Sequence, residues 1–208
     1  MCMLSGAILS GGLSTRMGEE KGLVILHGRP LIHYVMGTMR RVADEVIVSI
    51  AKGMTSRYRE ILDSNIKLVE DKRIGVGPLE GLARAFSSAR GQYVVVSPCD
   101  TPFLKPELCT MLVESARGRD GAVPLTGAEL FEPLHGVYRR KSCLESFEKA
   151  IKNGIQRPVE IYPELDLEFV PRNVLQTVDP DLTSFWNLNS YDDLELAEMK
   201  LKEGSRKL

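Results

Sequence analysis

The residues of this chain that could do chemistry fall at the ends of apolar runs. The first run, Gly6-Ala7-Ile8-Leu9, leads into Ser10-Gly11-Gly12-Leu13-Ser14-Thr15-Arg16-Met17-Gly18, with Lys21 shortly after. Paired glycines lack Cβ atoms, so the backbone can take positive φ and bring amide N–H groups close to an anion. Arg16 and Lys21 add positive charge for oxygens that amide dipoles alone leave unneutralised. The pattern reads as a phosphate grip. A Walker A loop needs four residues between its glycines and a Lys-Ser/Thr pair after the second, whereas Gly12 and Gly18 have five between them and Lys21 precedes Gly22. The G-x-G-x-x-G dinucleotide fingerprint does not fit Gly11-Gly12-Leu13-Ser14-Thr15-Arg16 either. A plain flexible loop is the competing reading, and the two cations weaken it.

Two carboxylates hold similar positions. Asp100 follows the run Tyr93-Val94-Val95-Val96 in the segment Ser97-Pro98-Cys99-Asp100-Thr101-Pro102. An unpaired charge at a buried sheet edge costs about 3–5 kcal/mol unless something positive meets it. Magnesium suits such a place, because it is commonly held by one or two carboxylates plus substrate phosphates. Aspartate is also a favoured helix N-cap, and the sequence leaves both roles open. Asp71 follows Ile66-Lys67-Leu68-Val69 and Glu70. It reads either as a solvated loop residue or as an acceptor for an amino group and a ring N–H, the edge that guanine presents.

The elements that must position these groups alternate. Short apolar runs at 6–9, 22–26, 45–50, 66–69 and 93–97 read as strands, and helical periods cover 31–41, 54–62, 79–89 and 106–116. Such alternation predicts a three-layer, Rossmann-like α/β fold, a mostly parallel sheet with helices on both faces. Ligands in such sheets sit beyond the carboxyl ends of the strands, so the glycine loop, Asp71 and Asp100 share one edge. Later in the chain, 125–132 reads as a loop, 133–138 as a strand, 140–153 as a helix, 158–162 as a short helix, 167–170 as a strand, and 190–203 as a closing helix capped by Ser190. Length argues for a single domain over 1–208, with a nucleotide-binding half at about 1–124 and an acceptor-binding half at about 125–208.

With 27 basic and 28 acidic residues, the net charge of -1 provides no field for nucleic acid or an anionic membrane. The four cysteines form no C-x-x-C pair and the three histidines have no zinc-ligand spacing. Free thiols suit a reducing cytoplasm. Neither a signal peptide nor a membrane span is expected.

Several motifs together resemble a known family. Leu9-Ser10-Gly11-Gly12 with Arg16-Met17-Gly18 and Lys21, Gly28-Arg29-Pro30-Leu31, Glu70-Asp71, Gly77-Pro78-Leu79-Glu80-Gly81, Pro98-Cys99-Asp100-Thr101-Pro102 and Asn187-Leu188-Asn189 resemble the molybdenum cofactor guanylyltransferases of the MobA family. The opening motif alone marks the wider nucleotidyltransferase superfamily, and the fold implied is that of nucleotide-diphospho-sugar transferases. The resemblance implies Mg²⁺-dependent transfer of GMP from GTP to molybdopterin with release of pyrophosphate. It also implies that Leu9, Ser10, Gly11, Gly12, Ser49 and Asp71 hold the nucleotide, Lys21 and Arg16 its phosphates, Asp100 the magnesium, and Asn187 and Asn189 the pterin. Asn187 and Asn189 serve equally well as ties between a loop and the closing helix.

Three positions depart from the family pattern: Ser49 where Asn is frequent, Ser10 where Ala is usual, and Glu80 where Ala is common. An anionic acceptor needs positive charge, which makes Arg139, Arg140, Arg157 and Arg172 candidates for its pocket. Apoenzymes or cofactor-synthesis proteins are the expected protein partners. Two alternatives remain at this stage: a cytidylyl or sugar-phosphate nucleotidyltransferase of the same fold, and a non-catalytic GTP-binding adaptor that delivers the cofactor.

Overall fold

The computed structural model describes residues 3–11, 20–73 and 75–205. Gly12 and Arg16, both expected at the nucleotide, lie outside the described residues. The first strand, β1 (Leu4–Ser10), is followed by a 3-10 turn (Lys21–Leu23) and a small hairpin of β2 (Ile25–Leu26) and β3 (Arg29–Pro30). Helix α1 (Leu31–Val42), β4 (Glu45–Ile50), α2 (Thr55–Arg59), β5 (Lys67–Glu70), α3 (Pro78–Ser88), β6 (Tyr93–Pro98) and α4 (Pro106–Ser115) continue the alternation. Then come β7 (Gly121–Gly127), β8 (Leu130–Phe131), β9 (Val137–Arg139), α5 (Arg140–Lys152), β10 (Leu167–Pro171), α6 (Arg172–Leu175) and α7 (Tyr191–Ser205).

The main sheet has the order β10-β7-β9-β6-β1-β4-β5, with β8 paired to β7. β1 pairs in parallel with both β4 and β6, β4 with β5, and β7 with β10; β9 runs antiparallel to β6 and β7. The chain moves outward from β1 through β4 to β5, then returns to place β6 on the other side of β1. That reversal makes a switch point, where a crevice opens between loops going opposite ways.

Alternation along the central strands builds two cores. Ile8, Val46, Val48, Ile50 and Val95 point to the face covered by α1, α2 and α4, through Ile32, Val35, Met39, Tyr58, Leu108 and Leu112. Ala7, Ile47, Val94 and Val96 point to the face covered by α3 and α5, through Leu79, Leu82, Phe86, Cys143 and Phe147. Strands buried on both faces carry continuous apolar runs, which is why β4 and β6 are so plain in the sequence. A third cluster, Val24, Leu26, Leu31, Leu188, Leu194 and Ala197, seats α7 on the small hairpin.

Three expectations are corrected. The run 22–26 is not a strand of the sheet: Lys21–Leu23 is a 3-10 turn, and Val24 and Leu26 are apolar because they pack under α7. The stretch 125–132 is not a loop, since β7 continues to Gly127 and turns back into β8. Of 133–138, Pro133–His135 is a 3-10 turn and only Val137–Arg139 is strand. Cys99, Cys109 and Cys143 are buried and unpaired, and among the described residues no helix is long and apolar enough to cross a membrane.

Candidate active site

The carboxyl ends of β1, β4, β5 and β6 open into a cleft of about 910 Å³. Leu9 and Gly11 reach it from β1, Ser49 and Lys52 from β4, Asp71 and Arg73 from β5, and Asp100 from β6. Lys21, Asn187 and Asn189 come from outside the sheet. Two backbone bonds extend the ladder past the strands and fix these ends: Asp71 N–H donates to Ile50 O at 3.0 Å and Cys99 N–H to Leu9 O at 3.0 Å.

At the β6 end, Lys21 Nζ donates to Asp100 Oδ2 at 2.7 Å and to Asn189 Oδ1 at 2.6 Å. The Asp100 side chain is only 6 % exposed. Its second oxygen, Oδ1, is buried and has no hydrogen-bond partner. Buried polar atoms are nearly always paired, so an orphaned carboxylate oxygen in a cleft signals a missing cation or donor. A hard divalent cation fits there, with Lys21 retaining the other oxygen. No group of three or more His, Cys, Asp or Glu suited to a metal occurs among the described residues, so phosphate oxygens and water are needed to complete such a shell. The capping role is excluded, because α4 begins at Pro106 with Lys105 at its N-cap position and no side-chain cap bond.

At the other end, Asp71 faces Ser49, whose Oγ donates to Oδ1 at 3.4 Å, and Gly11. A Cβ on Gly11 would lie 2.9 Å from Asp71 Oδ2, so this glycine provides room for the carboxylate. Positive φ, expected at Gly11, is not its role; among nearby glycines it is Gly75 and Gly77 that take φ of 80° and 77°, turning the chain into α3. Burial, followed by the negative charge of Glu80, pushes the Asp71 carboxyl up to about 6, against the lowering effects of Ser49 and Arg84.

Ser10 is buried and its Oγ meets Tyr58 OH at 2.5 Å, so its side chain serves the α2 packing and not the cleft. Of the two roles expected of Asn187 and Asn189, the tie between a loop and the closing helix is seen at Asn189. Both residues line the cleft, and Asn189 N–H donates to Asp193 Oδ2 in the first turn of α7 at 2.9 Å. Ser190 caps that helix as expected, accepting the Asp193 N–H at 3.2 Å. The candidate arginines separate. Arg139 donates to Arg119 O and Tyr93 OH, and Arg140 N–H to Gln92 O, at the amino end of β6 and so on the far edge of the sheet. Both therefore lie away from the cleft. Arg172 follows β10 on the cleft edge, with Nη1 3.2 Å from Thr126 O, and Arg157 adjoins Gln156, whose carbonyl packs against Gly77.

Glu20, Lys52, Arg73, Glu132 and His135 also line the cleft, and no motif marks them in the sequence. Glu20 is held above the ordinary carboxyl range, chiefly by burial. His135 is 3 % exposed, neither ring nitrogen has a hydrogen-bond partner, Glu132 Oε2 stands 3.8 Å from Nδ1, and burial pushes the pKa down to about 3, so it is a neutral imidazole set edge-on to Phe185. Cys99 also lines the cleft, but burial and then Asp100 push its thiol up to about 12, which leaves it inert as a nucleophile.

The arrangement thus offers a Lys21–Asp100 end at β6 and an Asp71 end at β5, with no activated side-chain nucleophile between them among the described residues. It can align a nucleoside triphosphate and neutralise its phosphates. Comparison with known proteins agrees. A molybdenum cofactor guanylyltransferase of Desulfosudis oleivorans is 33% identical over 205 residues, covering 98% of both chains. A protein named probable molybdenum cofactor guanylyltransferase from Methanosarcina acetivorans is 33% identical over 201 residues, covering 92% of this chain and 88% of its own. The crystal structure of molybdopterin-guanine dinucleotide biosynthesis protein A from Archaeoglobus fulgidus superposes with a TM-score of 0.81 at 28% identity, covering 96% of this chain and 99% of that one. The model of the MobA-like NTP transferase domain matches residues 6–165, and the chain belongs to that family.

Proposed function

We propose that this protein transfers GMP from GTP to molybdopterin, releasing pyrophosphate and forming the guanine dinucleotide form of the cofactor, with Mg²⁺ held at Asp100. The observation that carries the reading is the Lys21–Asp100 pair with its free carboxylate oxygen, set in the same cleft as Asp71. In the reaction an oxygen of the acceptor's terminal phosphate attacks the α-phosphorus of GTP. The bond from that phosphorus to the bridging oxygen breaks, the electron pair leaves with pyrophosphate, and a new phosphoanhydride joins GMP to the pterin.

Asp71 accepts the N–H donors of the guanine edge, while Gly11 and Gly81 leave room for its carboxylate in the cleft. Lys21 lies against the triphosphate and Asn189 fixes its ammonium. Magnesium, when bound, neutralises charge on the phosphate oxygens. Asn187, Asn189, Arg157 and Arg172 hold the anionic acceptor. Positioning and charge stabilisation are sufficient for phosphoryl-type transfer, and the inert Cys99 accords with a direct displacement.

Isothermal titration with GTP, CTP, UTP and ATP, each with and without Mg²⁺, tests the nucleotide half of this reading. GTP is expected to bind at least tenfold more tightly than the others, with Mg²⁺ tightening it further. A CTP preference would favour the cytidylyl alternative and overturn the guanylyl assignment.

A further inference from the structure

Glu80 is 4 % exposed, yet it stands in the first turn of α3, where an acidic residue ordinarily faces water. Its Oε1 accepts the backbone N–H of Lys72 at 3.0 Å. Lys72 directly follows Asp71, so this bond ties the loop after β5 to α3. The next residue, Gly81, completes the same contact: a Cβ there would lie 3.3 Å from Ser49 Oγ and 3.8 Å from Asp71 Oδ1. The Glu80-Gly81 pair therefore determines where the Asp71 loop sits.

We propose that Glu80 is a positioning and selectivity residue for the base: it holds the Asp71 loop against α3, and its negative charge behind Asp71 makes the pocket accept donor edges and reject acceptor edges. The inference rests on the reading that Asp71 takes the guanine. Guanine offers two adjacent N–H donors, whereas adenine and cytosine place a ring-nitrogen acceptor beside their amino group. Two neighbouring carboxylates repel that acceptor and strengthen Asp71 as a recipient of hydrogen bonds. The other groups facing Asp71 are Ser49 from β4, Arg84 from α3 and, ahead of the 3-10 turn, Glu20. Lys52 and Arg73 line the same cleft. The Glu80 charge raises the affinity of Asp71 for a proton, so nucleotide and proton compete for that carboxylate and GTP binding weakens in acid.

The test is the GTP dissociation constant from pH 5 to 8 for the parent, Glu80→Gln, Glu80→Ala and Asp71→Asn, with folding checked by melting. Glutamine keeps an oxygen for Lys72 N–H but removes the charge. Its acid limb should shift to lower pH, with a GTP-over-ATP preference reduced about threefold or more at pH 8. Alanine also leaves Lys72 N–H unpaired, and at pH 8 it should bind GTP about fivefold more weakly than the glutamine variant, the loss of one hydrogen bond. Titration of the nucleotide's own phosphates is common to all variants and cancels in the ratios. The proposal is overturned if the Glu80→Gln profile overlays the parent's, or if the alanine and glutamine variants bind alike at pH 8. Asp71→Asn separates the two levels: retained GTP preference there removes the base-recognition reading itself, while lost preference with a parent-like Glu80→Gln removes only the role of Glu80.

Discussion

Asp100 divides its two oxygens between two tasks. Oδ2 is taken by Lys21 and Oδ1 is free, so one carboxylate can join a fixed cation of the protein to an exchangeable one. Asp100→Ala is expected to reduce turnover by about 100-fold or more, on the scale seen when a preorganised electrostatic group is removed. The variant should remain folded and lose Mg²⁺-dependent tightening of GTP, which titration reads directly. Near-normal turnover would remove the metal assignment. Gly11 makes a second residue-level point. A methyl group there would press on Asp71 Oδ2, and overpacking of this kind costs about 1–3 kcal/mol, so Gly11→Ala should weaken GTP binding by roughly tenfold in the same titration. Of the candidate site residues, Asp71 and Asp100 were legible because each lies at the end of an apolar strand, and Lys21 because it follows a paired-glycine loop. Glu80 was not, because an acidic residue in a helix's first turn has an ordinary explanation, and a lone histidine such as His135 has no partner in sequence to mark it.

At the scale of elements, the Lys21–Leu23 turn delivers its lysine only because Gly22 fits closely beneath it. A Cβ on Gly22 would run into Ser10 Oγ and come within 2.7 Å of Tyr58 OH. Gly22→Ala should therefore lower the melting temperature by several degrees, an overpacking cost of about 1–3 kcal/mol, and weaken phosphate binding with it. Gly37, in the exposed middle of α1, has nothing within 4 Å of its potential Cβ. There the same substitution should stabilise by about 0.5–1 kcal/mol, since alanine relieves the entropic cost of a helical glycine. Opposite signs in the two melts would bear out the packing described for both elements. The nucleotide-binding strands and helices could be read from the sequence because burial on both sheet faces leaves unbroken apolar runs. The β7–β8 hairpin could not. Pro124 sits within β7 and cannot donate to the ladder, and β8 spans only Leu130–Phe131, too short for any period to emerge.

Across the whole molecule, stability should decline in acid for an identifiable reason. His135 is buried neutral, with its pKa pushed down to about 3 from an ordinary value of 6.5. The unfolded chain therefore binds a proton that the folded one does not, and stability contributed by the neutral ring is lost as pH falls from about 6.5 toward 3. Asp71 acts in the other direction, since its raised pKa favours protonation in the folded state between 3.8 and about 6. Denaturant melts of the parent and His135→Leu isolate the histidine contribution: the parent should lose about 1.4 kcal/mol per pH unit relative to the variant below pH 6.5. A constant difference between pH 7 and 5 would contradict the buried neutral imidazole. Lys105 and Asp179 tie α4 to the segment after α6, with Nζ and Oδ1 2.8 Å apart and the aspartate side chain 0% exposed. Both this pair and the α7 cluster lock the C-terminal stretch against the sheet, which is how Asn189 comes to meet Lys21 across so much of the chain.

Guanylyl transfer to a pterin phosphate is measured by incubating the protein with molybdopterin, Mg²⁺ and each nucleoside triphosphate in turn. Dinucleotide product and pyrophosphate are then quantified together. Equimolar product and pyrophosphate are expected with GTP, little with CTP, UTP or ATP, and loss of both in Asp100→Ala. Product formed preferentially from CTP, or GTP bound with no pyrophosphate released in the presence of the acceptor, would rule out guanylyl transfer.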